Sequence, residues 1–333
     1  MHTHAMAAMT RGAALTPFET DTPPLGAHDC VVKVLRCGLC HSDVHMVDDD
    51  WRISTYPLVP GHEVIGEVVE RGREVRHLKT GDRVGIGWQR SACLQCPDCL
   101  RGDENLCNEN NGVIVDGQGG FASHLSMDSR FCFTVPAGIP TDTGGPLLCG
   151  GVTVYSALRC AGMTSGKEVG VIGVGGLGHL AVQFAARLGN HVTVFTTSDD
   201  KAQLAARLGA HEFVVTRTGQ PLRTKRPLDV LISTVPHDLD WNGYINLLGS
   251  DGTLTFVAVP PKPLSLSPGL LLGKRRRVMA SPIGGRATMT DMLRVADTFG
   301  VEPIVEHFPL SQVNEAMKKV RDNTVRFRAV LTP

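Results

Sequence analysis

The sequence predicts an α/β protein with two parts, a mostly β amino-terminal part followed by a part built on a parallel sheet. Up to about residue 146 the chain is rich in Gly and Pro and contains short β-like runs, for example at 31–35, 64–69 and 83–86. Turn residues such as Thr80-Gly81-Asp82 separate these runs, which is typical of an irregular antiparallel β domain. The length of 333 residues is consistent with about two domains.

The pattern changes after Pro146. Apolar β-like runs at 169–172, 192–195 and 212–215 alternate with helical patterns at 177–188 and 201–208. Such βαβ alternation predicts a parallel sheet with helices on both faces.

Composition excludes several classes of function. Lys plus Arg and Asp plus Glu are 33 each, so the neutral chain gives no electrostatic basis for binding nucleic acid or an anionic membrane. The amino-terminal residues lack a basic segment followed by an apolar one, and no stretch is long and apolar enough to span a bilayer. We therefore expect a cytoplasmic protein.

Residues 93–107, CLQCPDCLRGDENLC, contain four of the ten cysteines. Structural disulfides are rare in reducing cytoplasm, whereas four thiolates at the spacing C-x2-C-x2-C-x7-C can surround one Zn²⁺. Two alternatives are a group of buried or redox-active cysteines and an iron–sulfur cluster. Because this polar loop lacks the apolar surroundings of core thiols, we favour a metal site. Its ligands would be Cys93, Cys96, Cys99 and Cys107.

A glycine-rich motif, Gly173-Val174-Gly175-Gly176-Leu177-Gly178, follows the β-like run 169–172 and opens a helical pattern. In this context the first glycine allows a tight turn, the second lets the backbone approach a pyrophosphate, and the third lets helix and strand pack closely. The alternative is a glycine-rich turn without a ligand. We predict a dinucleotide site.

The end of the next β-like run favours NADP(H) over NAD(H). NAD-binding proteins usually place Asp or Glu there to bind the adenosine ribose. Here the positions expected to contact the cofactor are Thr196, Thr197, Ser198 and Lys201. Hydroxyls and a lysine can donate hydrogen bonds to a 2′-phosphate, whereas a carboxylate would repel it. Asp199 and Asp200 weaken this argument, although their position is that of a helix cap.

Three further segments contain metal-ligand residue types: GLCHSDVH at 38–45, PGHE at 60–63 and LLCGG at 147–151. Taken alone, each has an ordinary explanation. Cys149 fits a core thiol and His62 fits a hydrogen-bonded turn residue. Their separation in the chain is too long for spacing to link them.

Together these segments resemble the zinc-dependent medium-chain alcohol dehydrogenases, in particular the cinnamyl alcohol dehydrogenase-like aldehyde reductases. The similarity runs in order along nearly the whole chain through GLCHSDVH, YPLVPGHEVIGEV, the four-cysteine segment, LLCGGVTVYSAL, GVGGLG, SPIGGRA and RFRAVL. The resemblance implies a GroES-like, mostly β catalytic domain (1–146 with 300–333) that carries both zinc sites. It also implies a Rossmann domain (147–299) with a doubly wound parallel sheet that binds NADP.

The resemblance implies two zinc ions per chain. Cys40, His62 and Cys149 would bind the catalytic zinc, with Glu63 as a nearby carboxylate that can replace water as a ligand. The four-cysteine segment would hold the structural zinc, and Cys30, Cys37, Cys132 and Cys160 would be ordinary packing thiols.

The resemblance also assigns proton-transfer and cofactor residues. Ser42 matches the relay hydroxyl, which would pass the proton through the nicotinamide ribose to His45. Asp43 matches the residue that orients the zinc-bound histidine, and His41 matches a contact to the cofactor pyrophosphate. Further expected cofactor contacts are Thr153, the glycine motif with Leu177, Val235, Ser281 and Ile283.

The implied activity is hydride transfer between NADP(H) and a primary alcohol or aldehyde, in a homo-oligomer that is a dimer or tetramer. Alternatives are an NAD-dependent polyol or formaldehyde-type dehydrogenase of the same fold and a non-catalytic dinucleotide-sensing protein. Trp88 and Trp51 are candidate walls of a substrate pocket. The segment between Cys107 and Gly119 is shorter than in plant-type members, so substrate range is the property that the resemblance transfers least.

Overall fold

The structure is a computed structural model that describes residues 1–197, 202–217 and 219–333. It contains two compact units, one formed by Met1–Cys149 with Gly284–Pro333 and the other by Gly150–Ile283. The borders expected from the sequence were 146 and 300, so the difference concerns mainly the segment 284–299. This segment lies with the first unit because the backbone N–H and Nε of Arg286 both donate to the buried carboxylate of Glu104, each at 2.8 Å.

The first unit is mostly β. Its strands are β1 (His2–Ala7), β2 (Thr16–Asp21), β3 (Asp29–Leu39), β4 (Glu63–Arg71), β5 (Arg83–Ile86), β6 (Gln89–Ser91), β7 (Asn111–Gly112), β8 (His124–Asp128), β9 (Cys132–Thr134), β16 (Val305–Pro309) and β17 (Arg328–Thr332). In the described residues, seven of them form one sheet with the order β16-β17-β3-β4-β5-β9 and with β8 paired to β3. Its helices are α1 (His41–Asp48), α2 (Pro97–Arg101), α8 (Arg286–Phe299) and α9 (Val313–Arg321).

The core of the first unit consists of the inward-facing residues of these strands, because alternate side chains of a strand point to opposite faces. Val32, Val64 and Val84 are fully buried there, together with Phe121 and Phe131 from the segments that connect the strands. Burial of each such side chain stabilises the fold by about 1.5–3 kcal/mol. The β-like runs predicted from the sequence at 31–35, 64–69 and 83–86 lie in β3, β4 and β5.

Strand register brings distant parts of the chain to one end of this sheet. Gly38 near the end of β3 pairs with Glu63 at the start of β4 and also with Val330 of β17. The turn Gly145–Leu148 lies against the same end, where a Cβ on Gly145 would be only 2.7 Å from the backbone oxygen of Glu63. A glycine is therefore required at 145 for the segment that precedes Cys149 to approach β4.

The second unit is a Rossmann-type α/β unit, as predicted. Its strands are β10 (Glu168–Ile172), β11 (His191–Thr196), β12 (Glu212–Val215), β13 (Leu228–Ser233), β14 (Leu248–Phe256) and β15 (Arg277–Ala280). Its helices are α3 (Gly150–Cys160), α4 (Gly178–Arg187), α5 (Ala202–Leu208), α6 (Trp241–Asn246) and α7 (Pro268–Leu272). The strands form a parallel sheet in the order β12-β11-β10-β13-β14-β15. The order reverses beside β10, which is where ligands bind in such sheets.

None of the described helices combines the length and the apolarity needed to cross a bilayer.

Four cysteines outside the expected zinc sites were predicted to be packing thiols. Of these, Cys30, Cys37 and Cys132 are buried as predicted, but Cys160 is exposed. The prediction for Cys160 was wrong because the last turn of α3, from Arg159, faces solvent.

Candidate active site

Four metal-ligand side chains of the first unit meet at the end of its sheet. The ligand atoms of Cys40, His62, Glu63 and Cys149 all lie within 4.8 Å of one another. Cys40 is the residue before α1, and Cys149 follows the turn Gly145–Leu148. His62 immediately precedes β4, and Glu63 is its first residue. The structure therefore brings together the four residues that the sequence could not link by spacing.

The distances and the donor set suit a zinc ion. The two sulfurs of Cys40 and Cys149 are 4.0 Å apart, and Nε2 of His62 is 3.3 Å from Sγ of Cys149. Around a tetrahedral Zn²⁺ with ordinary bond lengths, these separations would be about 3.8 Å and about 3.5 Å. Thiolate and imidazole are the ligands that zinc prefers.

The carboxylate of Glu63 provides a second test of fit. Glu63 is fully buried, and among the described residues its Oε2 has no hydrogen-bond partner. Burial raises the pKa of Glu63, and the neighbouring Arg328 opposes that rise. A buried carboxylate oxygen without a donor costs free energy unless a cation is close to it. An ion held by the cysteines and His62 would meet that need.

Asp43 fixes the orientation of His62. Asp43 is fully buried on α1, and its Oδ1 lies 3.0 Å from Nδ1 of His62 while accepting a hydrogen bond from the N–H of Gly61 at 2.8 Å. Its Oδ2 accepts from the N–H of Cys40 at 2.9 Å. With Nδ1 engaged by Asp43, Nε2 is directed at the cluster, which is the geometry of a carboxylate behind a metal-binding histidine.

The electrostatics of the cluster favour positive charge. Burial lowers the pKa of His62, but Asp43 and Cys40 outweigh it and leave that pKa well above its usual value. The hydrogen bond from the Cys149 thiol holds the pKa of Cys40 well below its usual value, although burial opposes this. The cluster thus stabilises a thiolate and a cation together.

Arg328, at the start of β17, is a site residue that the sequence did not identify. Its guanidinium is buried and donates from Nη2 to Oε1 of Glu63. Arg328 belongs to RFRAVL, one of the segments that carry the resemblance to the family, but nothing in the sequence placed that segment beside Glu63. The pairing of β17 with β3 provides the contact.

The predicted proton-relay residues lie on α1. Oγ of Ser42 is 3.7 Å from Sγ of Cys40, and His45 follows one turn later on the helix. Nδ1 of His45 lies 2.7 Å from Oδ2 of Asp50, and both side chains are partly exposed. Asp50 was not predicted, and it holds the His45 ring in one orientation.

Trp88 lies beside the cluster, and Trp51 packs against Trp88. The Trp88 ring meets the His62 ring edge-on, with centroids 5.2 Å apart. Trp51 lies 5.8 Å from Trp88 and 5.3 Å from His45, measured between ring centroids. His41, the first residue of α1, is exposed and its ring centroid is 6.2 Å from that of His45.

The four cysteines at 93–107 form a second, separate cluster in the first unit, with all sulfurs within 4.8 Å of one another. Sγ of Cys93 is 3.9 Å from Sγ of Cys99 and 3.5 Å from Sγ of Cys107. Backbone N–H groups donate to three of the sulfurs, those of Cys93, Cys96 and Cys107. The N–H groups of Gln95 and Cys96 lower the pKa of Cys93 to about 7. This closed set of thiols fits a tetrahedral zinc ion.

In the second unit, the glycine motif forms the turn between β10 and α4. Gly173 has φ of +90°, which a residue with a side chain rarely adopts. A Cβ on Gly178 would collide with the backbone oxygen of Gly173, so only glycine lets the helix begin this close to the strand. Among the described residues, none would lie within 4 Å of a Cβ on Gly175, so the turn is open there. This geometry fits a pyrophosphate at the start of α4.

The other predicted cofactor residues of this unit lie mostly after strand ends. Thr196 ends β11 and is buried, with its backbone oxygen accepting from the N–H of Thr216 at 2.7 Å, and Thr197 follows it. Val235 follows β13 next to Gly173, and Ser281 and Ile283 follow β15. Thr153 is buried in α3. Gly176 and Leu177 complete the glycine turn, whereas Ser198 and Lys201 lie outside the described residues.

Comparison with known proteins places the chain in a family. Residues 26–137 match the alcohol dehydrogenase GroES-like domain, and residues 176–320 match the zinc-binding dehydrogenase domain. The chain is 41% identical over 329 residues to the aldehyde reductase AdhA of Synechocystis sp., with 98% of each chain covered. The chain belongs to the zinc-dependent medium-chain alcohol dehydrogenases, in their cinnamyl alcohol dehydrogenase-like branch.

Solved structures of this family agree with the fold. A cinnamyl alcohol dehydrogenase from Sorghum bicolor superposes with a TM-score of 0.92 at 36% identity, covering 100% of this chain and 98% of that one. An enzyme of the same name from Helicobacter pylori, solved in complex with NADP(H), gives a TM-score of 0.90 at 29% identity, with 100% and 98% covered. The predicted GroES-like and Rossmann-type fold is therefore confirmed, and family membership supports the class of alcohol dehydrogenase or reductase.

Proposed function

We propose that this protein is a zinc-dependent oxidoreductase that transfers a hydride between NADP(H) and a primary alcohol/aldehyde pair. The observation that carries the proposal is the cluster of Cys40, His62, Glu63 and Cys149, whose ligand atoms lie within reach of one ion. Cys40, His62 and Cys149 would leave the fourth coordination position of the ion for substrate oxygen, with the Glu63 carboxylate close by. A zinc site with three protein ligands and an open position is typical of catalysis, whereas a structural site has four protein ligands.

Cys40, His62 and Cys149 would hold the catalytic zinc, and the cysteines at 93, 96, 99 and 107 would hold the structural one. When bound, the catalytic ion polarises a carbonyl or lowers the pKa of an alcohol. Asp43 keeps Nε2 of His62 directed at the ion. Arg328 pairs with Glu63 and favours its charged form against the effect of burial on its pKa.

The proton would move along α1. In this proposal the hydroxyl of Ser42 exchanges a proton with the substrate oxygen, because Ser42 follows the ligand Cys40 by two residues. His45 is partly exposed and paired with Asp50, so its ring can exchange that proton with solvent. Trp88 and Trp51 would line the substrate position, and an aromatic wall favours apolar or aromatic aldehydes.

The cofactor would bind to the second unit, with its pyrophosphate at Gly173–Gly178 and its adenosine ribose at the end of β11. The cofactor itself accepts or donates the hydride. NADP(H) is supported by the absence of a carboxylate at Thr196 and by the NADP(H) complex of the Helicobacter pylori enzyme. Thr196 and Thr197 can donate hydroxyl hydrogen bonds to a 2′-phosphate.

The activity is tested by following oxidation of NADPH and NADH with a panel of aromatic, aliphatic and short aldehydes. We expect turnover of at least one aldehyde class, with NADPH preferred. Lack of turnover of every alcohol and aldehyde by zinc-loaded protein that still binds NADPH would favour the dinucleotide-sensing alternative.

The cofactor preference has its own test in Thr196→Asp. The new carboxylate should repel the 2′-phosphate and accept hydrogen bonds from the ribose of NADH, shifting the ratio of kcat/KM by about tenfold or more toward NADH. Equal use of NADH and NADPH by the wild type would contradict the cofactor assignment and leave the zinc chemistry standing.

A further inference from the structure

The amino-terminal hairpin places two histidines and two carboxylates side by side on its exposed face. β1 and β2 pair antiparallel, with His2 opposite Asp21 and His4 opposite Glu19. Thr3 and Ala5, which alternate with the histidines, are buried, whereas His2, His4 and Glu19 are exposed. The four polar side chains therefore share the solvent face of one two-stranded sheet.

Their ligand atoms already lie at metal-ligand separations. Nδ1 of His4 is 3.4 Å from Oε1 of Glu19, and Nε2 of His2 is 3.6 Å from Oε2 of the same residue. Nδ1 of His2 is 3.5 Å from Oδ1 of Asp21, and the two imidazole centroids are 5.0 Å apart. Around a tetrahedral ion with bonds of about 2.0–2.1 Å, neighbouring ligand atoms lie about 3.3 Å apart.

We propose that His2, His4 and Glu19 form a third metal site, which takes a divalent transition-metal ion such as Zn²⁺ and has Asp21 beside it. The ligand atoms of the three residues lie within 4.8 Å of one another. Imidazole with carboxylate selects zinc, nickel or copper and disfavours Mg²⁺, which prefers oxygen ligands in octahedral geometry. The site is distinct from both cysteine-containing clusters in residues and in donor type.

Exposure and ligand type make this site weaker and more exchangeable than the other two. It has no thiolate, and its histidines are exposed to solvent. Its ligands come from both strands of the hairpin, so a bound ion would cross-link β1 to β2. Since an ion that binds only the folded hairpin stabilises it, binding should protect β1 from amide hydrogen exchange.

The test uses untagged full-length protein that has been washed with a mild chelator, so that ions held by cysteines stay and exchangeable ions leave. Titration calorimetry with Zn²⁺ should then show one further equivalent binding. His4→Gln and Glu19→Gln should each weaken this binding by at least about tenfold. Mg²⁺ should give no heat of binding at this site.

His307→Gln is the matched control, because His307 is also exposed on a strand, β16, of the same unit. This variant should bind Zn²⁺ as the wild type does. Each substitution is at an exposed position, and circular dichroism should show that each variant is folded. The proposal is overturned if the washed wild type binds no further Zn²⁺, or if His4→Gln and Glu19→Gln bind it as tightly as His307→Gln.

Discussion

The two cysteine-containing clusters of the first unit are built in opposite ways. Cys93, Cys96, Cys99 and Cys107 lie in one short segment with helix α2, and its apolar neighbours Leu100 and Leu106 are exposed. Cys40, His62, Glu63 and Cys149 come from separate segments and meet at a buried end of the main sheet. In the first cluster a bound metal ion would stabilise a segment that has little hydrophobic core of its own. The second cluster is instead positioned by the hydrophobic core of the main sheet.

The two clusters would also differ in net charge once each holds a zinc ion. Four thiolates around Zn²⁺ leave a net negative charge, which the segment 93–107 offsets in part because backbone N–H groups donate to the sulfurs of Cys93, Cys96 and Cys107. In the buried cluster, two thiolates and Glu63 would be balanced by Zn²⁺ and Arg328. A buried charge needs a partner of this kind. The balanced, open cluster suits catalysis and the closed one suits structural support.

The largest effect should come from Cys149→Ser, which removes a ligand from the buried cluster. Loss of the polarising ion costs several kcal/mol of transition-state stabilisation, so kcat/KM should fall by at least about 1,000-fold. The melting temperature should fall less than in Cys96→Ser, because the core around Cys149 remains and Arg328 still pairs with Glu63. Steady-state kinetics and thermal unfolding measure both quantities.

Cys160→Ser is the control for this prediction, because Cys160 is exposed and belongs to neither cluster. It should retain wild-type activity and stability. If Cys149→Ser stayed within tenfold of the wild type, the assignment of the buried cluster as the catalytic site would fail.

Arg328→Met should destabilise the first unit by about 3–5 kcal/mol, because it leaves the buried Glu63 without its charged partner. The double variant Arg328→Met/Glu63→Met should recover part of that loss, since no buried charge is left unpaired. Chemical denaturation of zinc-loaded protein measures both values. Arg36→Met, which removes a partly exposed pair with Asp142, should cost no more than about 1 kcal/mol. Equal losses for Arg328→Met and Arg36→Met would contradict the charge-balance account.

Cys96→Ser should act mainly on stability, by about 3 kcal/mol, because metal binding contributes to folding of a segment with little core. Activity of the remaining folded protein, measured well below its melting temperature, should fall far less than in Cys149→Ser. A variant that kept wild-type stability but lost all activity would reverse the roles given to the two clusters.

The two clusters also differ in how far they could be predicted from the sequence. The ligands at 93–107 are close in the chain, so their spacing alone indicated a metal site, and the glycine motif was equally local. Cys40, His62 and Cys149 could be linked only through resemblance to a family, because strand register brings them together. Arg328 and Asp50 were missed since their roles depend on contacts with Glu63 and His45 that no sequence pattern shows.

Ser42→Ala should lower kcat by about 100-fold with the zinc still bound, because the hydroxyl that exchanges the proton is lost. His45→Gln should have a smaller effect, about tenfold, since solvent can replace the outer end of the path. The pH dependence of kcat, measured where chemistry limits the rate, checks both. A Ser42→Ala enzyme with near-wild-type kcat would show that the proton takes another path.

The assignment of two zinc sites is tested by the zinc content per chain of chelator-washed wild type, Cys149→Ser and Cys96→Ser, measured together with activity and melting temperature. We expect near two equivalents in the wild type and near one in each variant. Cys149→Ser should be stable but inactive, and Cys96→Ser should be active but less stable. A wild type that is fully active with near one equivalent or none would contradict the assignment of two zinc sites with separate roles.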